Sequence, residues 1–511
     1  MTDKLPNILL ILTDDLGFSD LGCFGSEMNT PHVDALANNG LRFTQFYNSA
    51  RCCPSRASIL TGLYPHQAGV GHMTDDEPYP GYRGHLKDQC VTLAEVLKGK
   101  GYHTYMSGKW HVGKNEPLDR GFDEFYGLLG GFTSFWDEKD YIRLPESGHK
   151  HHYKENEFYA TDAITDYALD FIEDARKDDQ PYFMYLAYNA PHFPLQAPKE
   201  EIDKYEKLYE QGWDHIREKR LARMKELGVV DKETILPPRA EYWNRDRDIH
   251  GQNPAWDDID RDRKRDLARR MAIYAAMVDR MDQNIGRVIE DLKERGELEN
   301  TLILFCSDNG ACAEWDPLGF DDWRTTSNKL HREADLDRMG DPSSYHSYGS
   351  GWANVSSTPL SMYKHYAHEG GISTPLIVHW PKHVQRKGDI DHRPSHFIDV
   401  MATLVDITKA DYPTHYRGND IHPMEGESML PSFSGESQEE RTLCFEHEEH
   451  CAIRQGKWKL VKIKEFEWAL YNIDEDRTEL HDLANNFPEK VEHLKREWHA
   501  WAERTDVVPR P

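Results

Sequence analysis

Two apolar runs far apart in the chain end in acids. "LLILTDDLG" delivers Asp14 and Asp15, and "LILFCSDNG" delivers Asp308 and Asn309. Carboxylates brought together repel one another unless a cation neutralises them. Three carboxylates and an amide oxygen form an all-oxygen donor set, which suits Ca2+ or Mg2+ rather than zinc. Either pair alone would serve as well to cap the turn or helix that follows. Both together, at matching positions, point to a metal site. Basic residues gather in three other stretches. "GYHTYMSGKWHVGK" offers Lys109 and His111, "YNAPHFPLQAP" sets His192 in a proline-stiffened loop, and "SMYKHYAHEGGISTP" carries Lys364 ahead of a Gly-Gly turn. Each is unremarkable singly. Together, two ammonium groups and two imidazoles beside a divalent cation would bind a tetrahedral oxyanion and supply acid–base groups for its transfer.

These residues need a scaffold that brings them to one place. Short, almost fully apolar runs at 7–12, 182–188, 301–306 and 375–380 suit strands buried on both faces, and they alternate with helical patterns. The expected class is therefore α/β, with ligands gathered beyond the carboxyl ends of the strands. Apolar steps from Met271 through Met277, Met281, Ile285, Val288 and Leu292 predict a helix that ends at "ERGE". Residues 199–270 are charge-dense and read as a solvated helical insertion. Residues 313–360 read as a long loop, a type of segment that is often functional. After about 430 the texture changes to hairpin-like alternation and a terminal helix. The expected domains are thus 1–430 and a small α+β unit over 431–511.

A further stretch, "RCCPSRASILTG", places Cys52 beside Cys53 ahead of a helix expected to start at Pro54 and Ser55. Its C-x-P-S-R-A…T-G pattern resembles the signature of the type I sulfatases. "TDDLG", "GKWHVG", "APHFPLQAP", "SDNG" and "EGGISTP" follow the family order over most of the chain, and 348–375 looks most like the bacterial arylsulfatase branch. The resemblance implies an alkaline-phosphatase-like sandwich with a large mixed central sheet flanked by helices. It adds a small C-terminal domain with a short antiparallel sheet. It also implies that a separate maturation enzyme, acting on 52–56, oxidises Cys52 to Cα-formylglycine, while Cys53 fills a variable position. One hydroxyl of the hydrated aldehyde attacks sulfur and the other later helps to expel sulfate. By the same resemblance Asp14, Asp15, Asp308 and Asn309, with the modified Cys52, hold one Ca2+ per chain in preference to Mg2+. Arg56 orients the diol, Lys109 bridges it to the sulfate, and His111 is the base. His192 and Lys364 serve the leaving oxygen, with His365 and His368 lying close to Lys364 in sequence.

The implied activity is hydrolysis of aryl sulfates or related small-molecule or saccharide sulfate esters. A phosphate or phosphonate monoester hydrolase on the same fold and a carbohydrate sulfatase remain open alternatives, whereas a non-catalytic ion-binding protein would not need the nucleophile. Trp136, Trp315, Trp323, Tyr348 and Trp352 are candidates for the rim that meets the leaving group. A formal charge of −27 over 511 residues argues against nucleic acid or an anionic membrane as partner. The N-terminal apolar run of about six residues falls short of the roughly 20 that span a bilayer. The chain as given reads as cytoplasmic, with a periplasmic or secreted location if a leader was removed. Eight cysteines without a CxxC pair read as reduced thiols.

Overall fold

The run Asn7–Thr13 forms β1, and its side chains alternate between two apolar layers. Leu9 and Ile11 enter a layer shared with helices Ala160–Ala175 and Arg261–Glu294. Ile8, Leu10 and Leu12 enter the opposite one, with helices Cys52–Thr61, Leu93–Gly99 and Asp399–Thr408. A strand covered on both faces has no use for a polar side, which accounts for the unbroken apolar run. The computed structural model describes residues 4–154, 157–178, 180–244, 249–325, 327–437, 439–464 and 466–507.

The next strands are β2 (Leu41–Tyr47), β3 (His103–Lys109), β4 (Glu124–Leu128), β5 (Ile142–Leu144) and β6 (Tyr182–Ala187). After them come β7 (Glu241–Asn244), β8 (Ile249–Gln252), β9 (Thr301–Ser307), β10 (Ser373–His379), β11 (Asp389–Asp391) and β12 (Ser395–His396). All but the β7–β8 hairpin join one ten-stranded sheet in the order β11-β2-β10-β9-β1-β6-β3-β4-β5, with β12 beside β2. The sheet is mixed. β9, β1, β6 and β3 are mutually parallel, whereas β10 runs antiparallel to both β9 and β2. The carboxyl ends of β1, β2, β3, β6 and β9 and the amino end of β10 therefore share one edge.

Residues 199–270 correct the expectation of a solvated helical insertion. Their helices are Lys199–Ile202, Glu206–Tyr209 and Trp213–Leu227, and the β7–β8 hairpin follows. Tyr209, Trp213, Ile216 and Met224 are buried in the main core. Arg220 is fully buried as well, because Asp20 (2.6 Å) and Glu27 (2.7 Å) neutralise it from another part of the chain. The stretch thus has a buried face with paired charge, while charges such as Arg223 and Glu226 stay exposed. The helix expected from Met271 begins earlier, at Arg261, where the Asp260 side chain accepts from the backbone amides of Asp262 and Arg263.

Residues 313–360 are mostly irregular, with short helices Glu333–Asp337 and Gly349–Ser356. The four strands Thr442–His447, His450–Gln455, Trp458–Lys462 and Ala469–Asn472 form a sequential antiparallel sheet. One side of it packs on helix Pro488–Arg504, and the other on Tyr47, Ala50 and Ile372 of the large sheet's surroundings. All eight cysteines are buried free thiols. Among the described residues no helix is long and apolar enough to cross a membrane.

Candidate active site

β1 and β9 pair in register with Thr13 opposite Ser307. The acids that follow must therefore emerge side by side. Asp14, Asp15, Asp308 and Asn309 are all essentially buried. Asp15 takes a left-handed φ of 67° and turns the chain away from the strand. Asn309 Nδ2 donates to Asp15 Oδ1 at 2.7 Å. Asp14 Oδ1 and Asn309 Oδ1 are buried acceptors without a hydrogen-bond partner. An acceptor left dry and unpaired is costly, so this oxygen-only set fits a hard divalent cation by its own chemistry.

Three cations from other elements close on the same acids. Arg56, on helix Cys52–Thr61, donates from Nε to Asp308 Oδ2 at 2.9 Å and from Nη1 to the Lys109 carbonyl at 2.7 Å. Lys109 ends β3 and donates from Nζ to Asp14 Oδ2 at 2.6 Å. Gly108 before it has a φ of 121°, and a Cβ there would lie 1.8 Å from the Ala187 carbonyl oxygen of β6. Only glycine lets the two strands deliver Lys109 to the edge this closely. Lys364 Nζ lies 2.9 and 3.0 Å from the two Asp15 oxygens. Its neighbours in sequence go elsewhere: His365 pairs with Glu314 and Glu448, and His368 is buried close to Lys459 and His450.

Cys52 is the first residue of its helix, so the helix starts two residues earlier than the proline suggested. Helix amides and dipole then face position 52 directly. Gly62 ends the helix with a φ of 71°, and a Cβ there would press on Met401 at 2.5 Å. The two cysteines are electrostatically unlike. A hydrogen bond from Cys53, then Lys109 and His111, draw the Cys52 thiol well below its ordinary range against the opposing effect of burial. Burial and the same hydrogen bond push Cys53 well above its own. The sulfurs of both and a ring nitrogen of His111 lie within 4.8 Å of one another.

His192 follows β6, and its Nδ1 donates to the Phe193 carbonyl at 2.6 Å, leaving Nε2 3.5 Å from Asp15 Oδ2. Burial holds both His111 and His192 down to about 4. Burial, then Asp14, push Asp308 up to about 8 against the pull of Arg56. Burial also raises Asp14 despite Lys109 and Arg56. At Asp15 burial is outweighed by Lys364, His192 and the Asn309 amide, and the carboxyl is lowered. Burial, more than any neighbouring charge, is what holds Asp14 and Asp308 up.

The structure brings every sequence-derived site residue to this edge and adds a further layer. Glu314 lies 3.5 Å from Lys364, 3.1 Å from His365 and 3.6 Å from Arg51. Arg51 stood in plain view beside Cys52, and Glu314 lies in the loop marked as functional. At the mouth, Phe132 stacks on His192 (5.6 Å between centroids, 14°) and Trp323 meets Phe132 edge-on. Trp315 approaches His365 at 5.5 Å. Of the other rim candidates, Tyr348 and Trp352 are core residues. Trp136 is partly buried, and its indole donates to the Gly340 carbonyl.

Comparison with known proteins gives this site a context. A family model described as Sulfatase matches residues 6–410, and one described as the C-terminal region of N-sulphoglucosamine sulphohydrolase matches 361–503. An uncharacterized sulfatase of Schizosaccharomyces pombe is 34% identical, over 99% of this chain and 95% of its own length. An arylsulfatase of Klebsiella aerogenes is 35% identical, over 83% of this chain and 91% of its own. The crystal structure of Ps i-CgsB in complex with k-i-k-neocarrahexaose superposes with a TM-score of 0.69 at 26% identity, covering 99% of this chain and 94% of that one.

Proposed function

The chain belongs to the sulfatase family, and on that premise we propose that it is an arylsulfatase using a Cα-formylglycine made from Cys52 and one Ca2+ ion. Hydrolysis of sulfate esters is the family's reaction; the modified residue, the ion and the aryl group are the reading offered for this chain. The observation that carries it is the pair of buried, unpartnered oxygens of Asp14 and Asn309 beside Asp15, Asp308 and the helix-borne Cys52.

Asp14, Asp15, Asp308 and Asn309, with the modified residue 52, would hold the ion, which when bound supplies positive charge for a sulfate oxygen and for a neighbouring hydroxyl. A hydrated aldehyde at 52 supplies the nucleophile and a second hydroxyl that lets sulfate leave. The chain's own side chains do the rest. Arg56, locked by Asp308 and the Lys109 carbonyl, orients residue 52 without moving itself. Lys109, on Asp14 and within electrostatic reach of residue 52, is placed to hold a sulfate oxygen between the two. His111, which burial keeps neutral, is placed to take a proton from residue 52. His192 and Lys364 converge on Asp15 from the opposite side, where the leaving oxygen would emerge. A maturation enzyme recognising 52–56 belongs to the same reading.

The aryl preference is supported by the 35% identical arylsulfatase and by Phe132, Trp323 and Trp315 at the mouth. A saccharide sulfate is the second reading, supported by the full-length likeness to the neocarrahexaose complex. The test begins with mass spectrometry of the peptide spanning residue 52, so that the modified fraction is known. Turnover is then compared on 4-nitrophenyl sulfate, sulfated monosaccharides, 4-nitrophenyl phosphate and phenylphosphonate esters. The expected order places the aryl sulfate first. Faster turnover of a sulfated sugar would move the assignment to the second reading, and faster phosphonate turnover would overturn the sulfatase assignment in both forms.

A further inference from the structure

A second cluster lies on the far side of Arg51, where the small C-terminal sheet meets the catalytic domain. His447 and Glu448 come from the tight turn joining strands Thr442–His447 and His450–Gln455, and His72 comes from the segment after helix Pro65–Ala68. A ring nitrogen of each histidine and a Glu448 oxygen lie within 4.8 Å of one another. His72 Nε2 is 3.4 Å and His447 Nε2 3.8 Å from Glu448 Oε1. The imidazoles stack at 5.3 Å and 20°. The nitrogens of both rings are buried without a hydrogen bond, although the His72 side chain is 14% exposed as a whole and His447 only 1%. Buried imidazoles almost always place their nitrogens on a partner.

We propose that His72, His447 and Glu448 form a second metal site, for a borderline divalent cation of the Zn2+ type. Ligands about 2.0–2.1 Å from a tetrahedral metal stand roughly 3.3 Å apart, so the observed 3.4 and 3.8 Å need only a small contraction. Two imidazoles and one carboxylate suit zinc, cobalt or nickel and not Ca2+, which separates this site from the oxygen-lined one at the sheet edge. The turn itself is unusual. Glu448 and Glu449 both hold left-handed φ values, of 53° and 68°, in a two-residue loop where Asn-Gly is the favoured choice. Two glutamates kept in that conformation cost free energy, which a metal ligand at the tip would offset. His72 belongs to the catalytic domain, so the ion would pin the small sheet's tip to it. Glu448 also pairs with His365 at 3.0 Å and Arg51 at 3.6 Å, which links that tie to the residue preceding Cys52.

The test uses the full-length chain, stripped of transition metals and saturated with Ca2+, titrated with Co2+ and then Zn2+. Expected is uptake of one Co2+ per chain, with tetrahedral d–d bands and no thiolate charge-transfer band, reversed by Zn2+. His447→Gln and His72→Gln should each abolish it while keeping the wild-type circular dichroism and the Ca2+ response. The proposal fails if Co2+ is not taken up, or if uptake brings a thiolate band, which would assign it to Cys52, Cys53 and His111. It also fails if uptake survives in a folded His447→Gln or His72→Gln variant, which would place the ion at other histidines such as His149 and His151.

Discussion

Two buried charge clusters in this molecule are built from nearly the same side chains and serve opposite ends. At the sheet edge, Asp14, Asp15 and Asp308 meet Arg56, Lys109 and Lys364. At the seam with the small domain, Glu369 and Glu479 meet Lys459, Arg477 and Arg454 around Tyr47. In the seam, Lys459 Nζ lies 3.0 Å from Glu369 and 2.8 Å from Glu479. The Tyr47 hydroxyl donates to Glu369 at 3.1 Å, and the Glu369 amide donates to Glu479 at 2.8 Å. Glu369 is thereby closed by protein donors on both oxygens. The edge cluster leaves Asp14 Oδ1 and Asn309 Oδ1 open. A closed cluster fixes two bodies together, and an open one waits for a ligand. Both are buried, but the seam sets three cations against two carboxylates, with Glu479 Oε1 held 2.8 Å from Lys459. The edge sets three against three and leaves two acceptors with no donor in reach of a hydrogen bond.

The largest expected effect lies in the open cluster. Cys52→Ala should lower kcat/KM on an aryl sulfate by at least about 10^4-fold, or roughly 5.4 kcal/mol of transition-state stabilisation. Its melting temperature should stay near wild type, because the change removes no more than one or two small polar atoms at position 52, whether thiol or formylglycine. A loss of activity that tracked a loss of folding would instead make Cys52 a packing residue.

Next is the closed cluster. Lys459→Met leaves Glu369 and Glu479 buried without their shared cation, and breaking such a pair from one side costs about 3–5 kcal/mol. Denaturant unfolding should show that loss, while kcat in native conditions stays within a few-fold of wild type. A large drop in kcat with unchanged stability would erase the distinction between the clusters.

The comparison sharpens further with Ca2+. At about 100 times Kd, a ligand bound only by the native state adds about 2.7 kcal/mol. Wild type and Lys459→Met should both gain this on moving from chelator to Ca2+. Asp14→Ala should not. An equal gain in Asp14→Ala would place the ion away from the sheet edge.

How much of this was legible in the sequence follows from how local each signal is. Asp14 and Asp308 could be found because each directly follows an apolar strand, and pairing of β1 with β9 then forces them together. Lys109, His111 and His192 follow strands in the same way. The seam was hidden. Glu369 stands in "EGGISTP", a motif of the family resemblance that assigns Glu369 itself no role, and its partners Lys459 and Glu479 lie about ninety or more residues away in segments of ordinary composition. The burial of Arg220 was hidden for the same reason, since Asp20 and Glu27 are about two hundred residues upstream. Periodicity reports which face of an element is apolar, but not which distant charge will neutralise a buried one.

A pH effect should separate the clusters more gently. Burial, against the pull of Lys459, pushes Glu479 up to about 7 from its ordinary 4.5. Between those values the folded state binds the proton more than the unfolded one, so this group's contribution falls as pH rises through that window, by up to about 1.4 kcal/mol per pH unit. Glu479→Gln keeps the protonated shape at every pH. The stability of wild type minus that of Glu479→Gln should therefore decrease from pH 5 to pH 7 and level off above. A difference that rises with pH would mean the carboxylate form is the one the seam prefers.

The smallest effect returns to the open cluster and to the residue beside the nucleophile. Cys53 is fully buried, and its thiol is held in the protonated form by burial and by its contact with Cys52. No hydrogen bond joins it to the carboxylates that would hold the ion, and Arg56, Lys109 and Lys364 are held by Asp308, Asp14 and Asp15 instead. Cys53→Ala removes one sulfur from an apolar layer shared with Ile59 and Leu60, at a cost of about 1 kcal/mol in stability. Activity per modified chain should change by less than about threefold, once the formylglycine fraction at residue 52 has been measured for both proteins. If activity per modified chain fell as far as in Cys52→Ala, the two cysteines would be acting as a pair, and the asymmetry seen around them would have no chemical meaning.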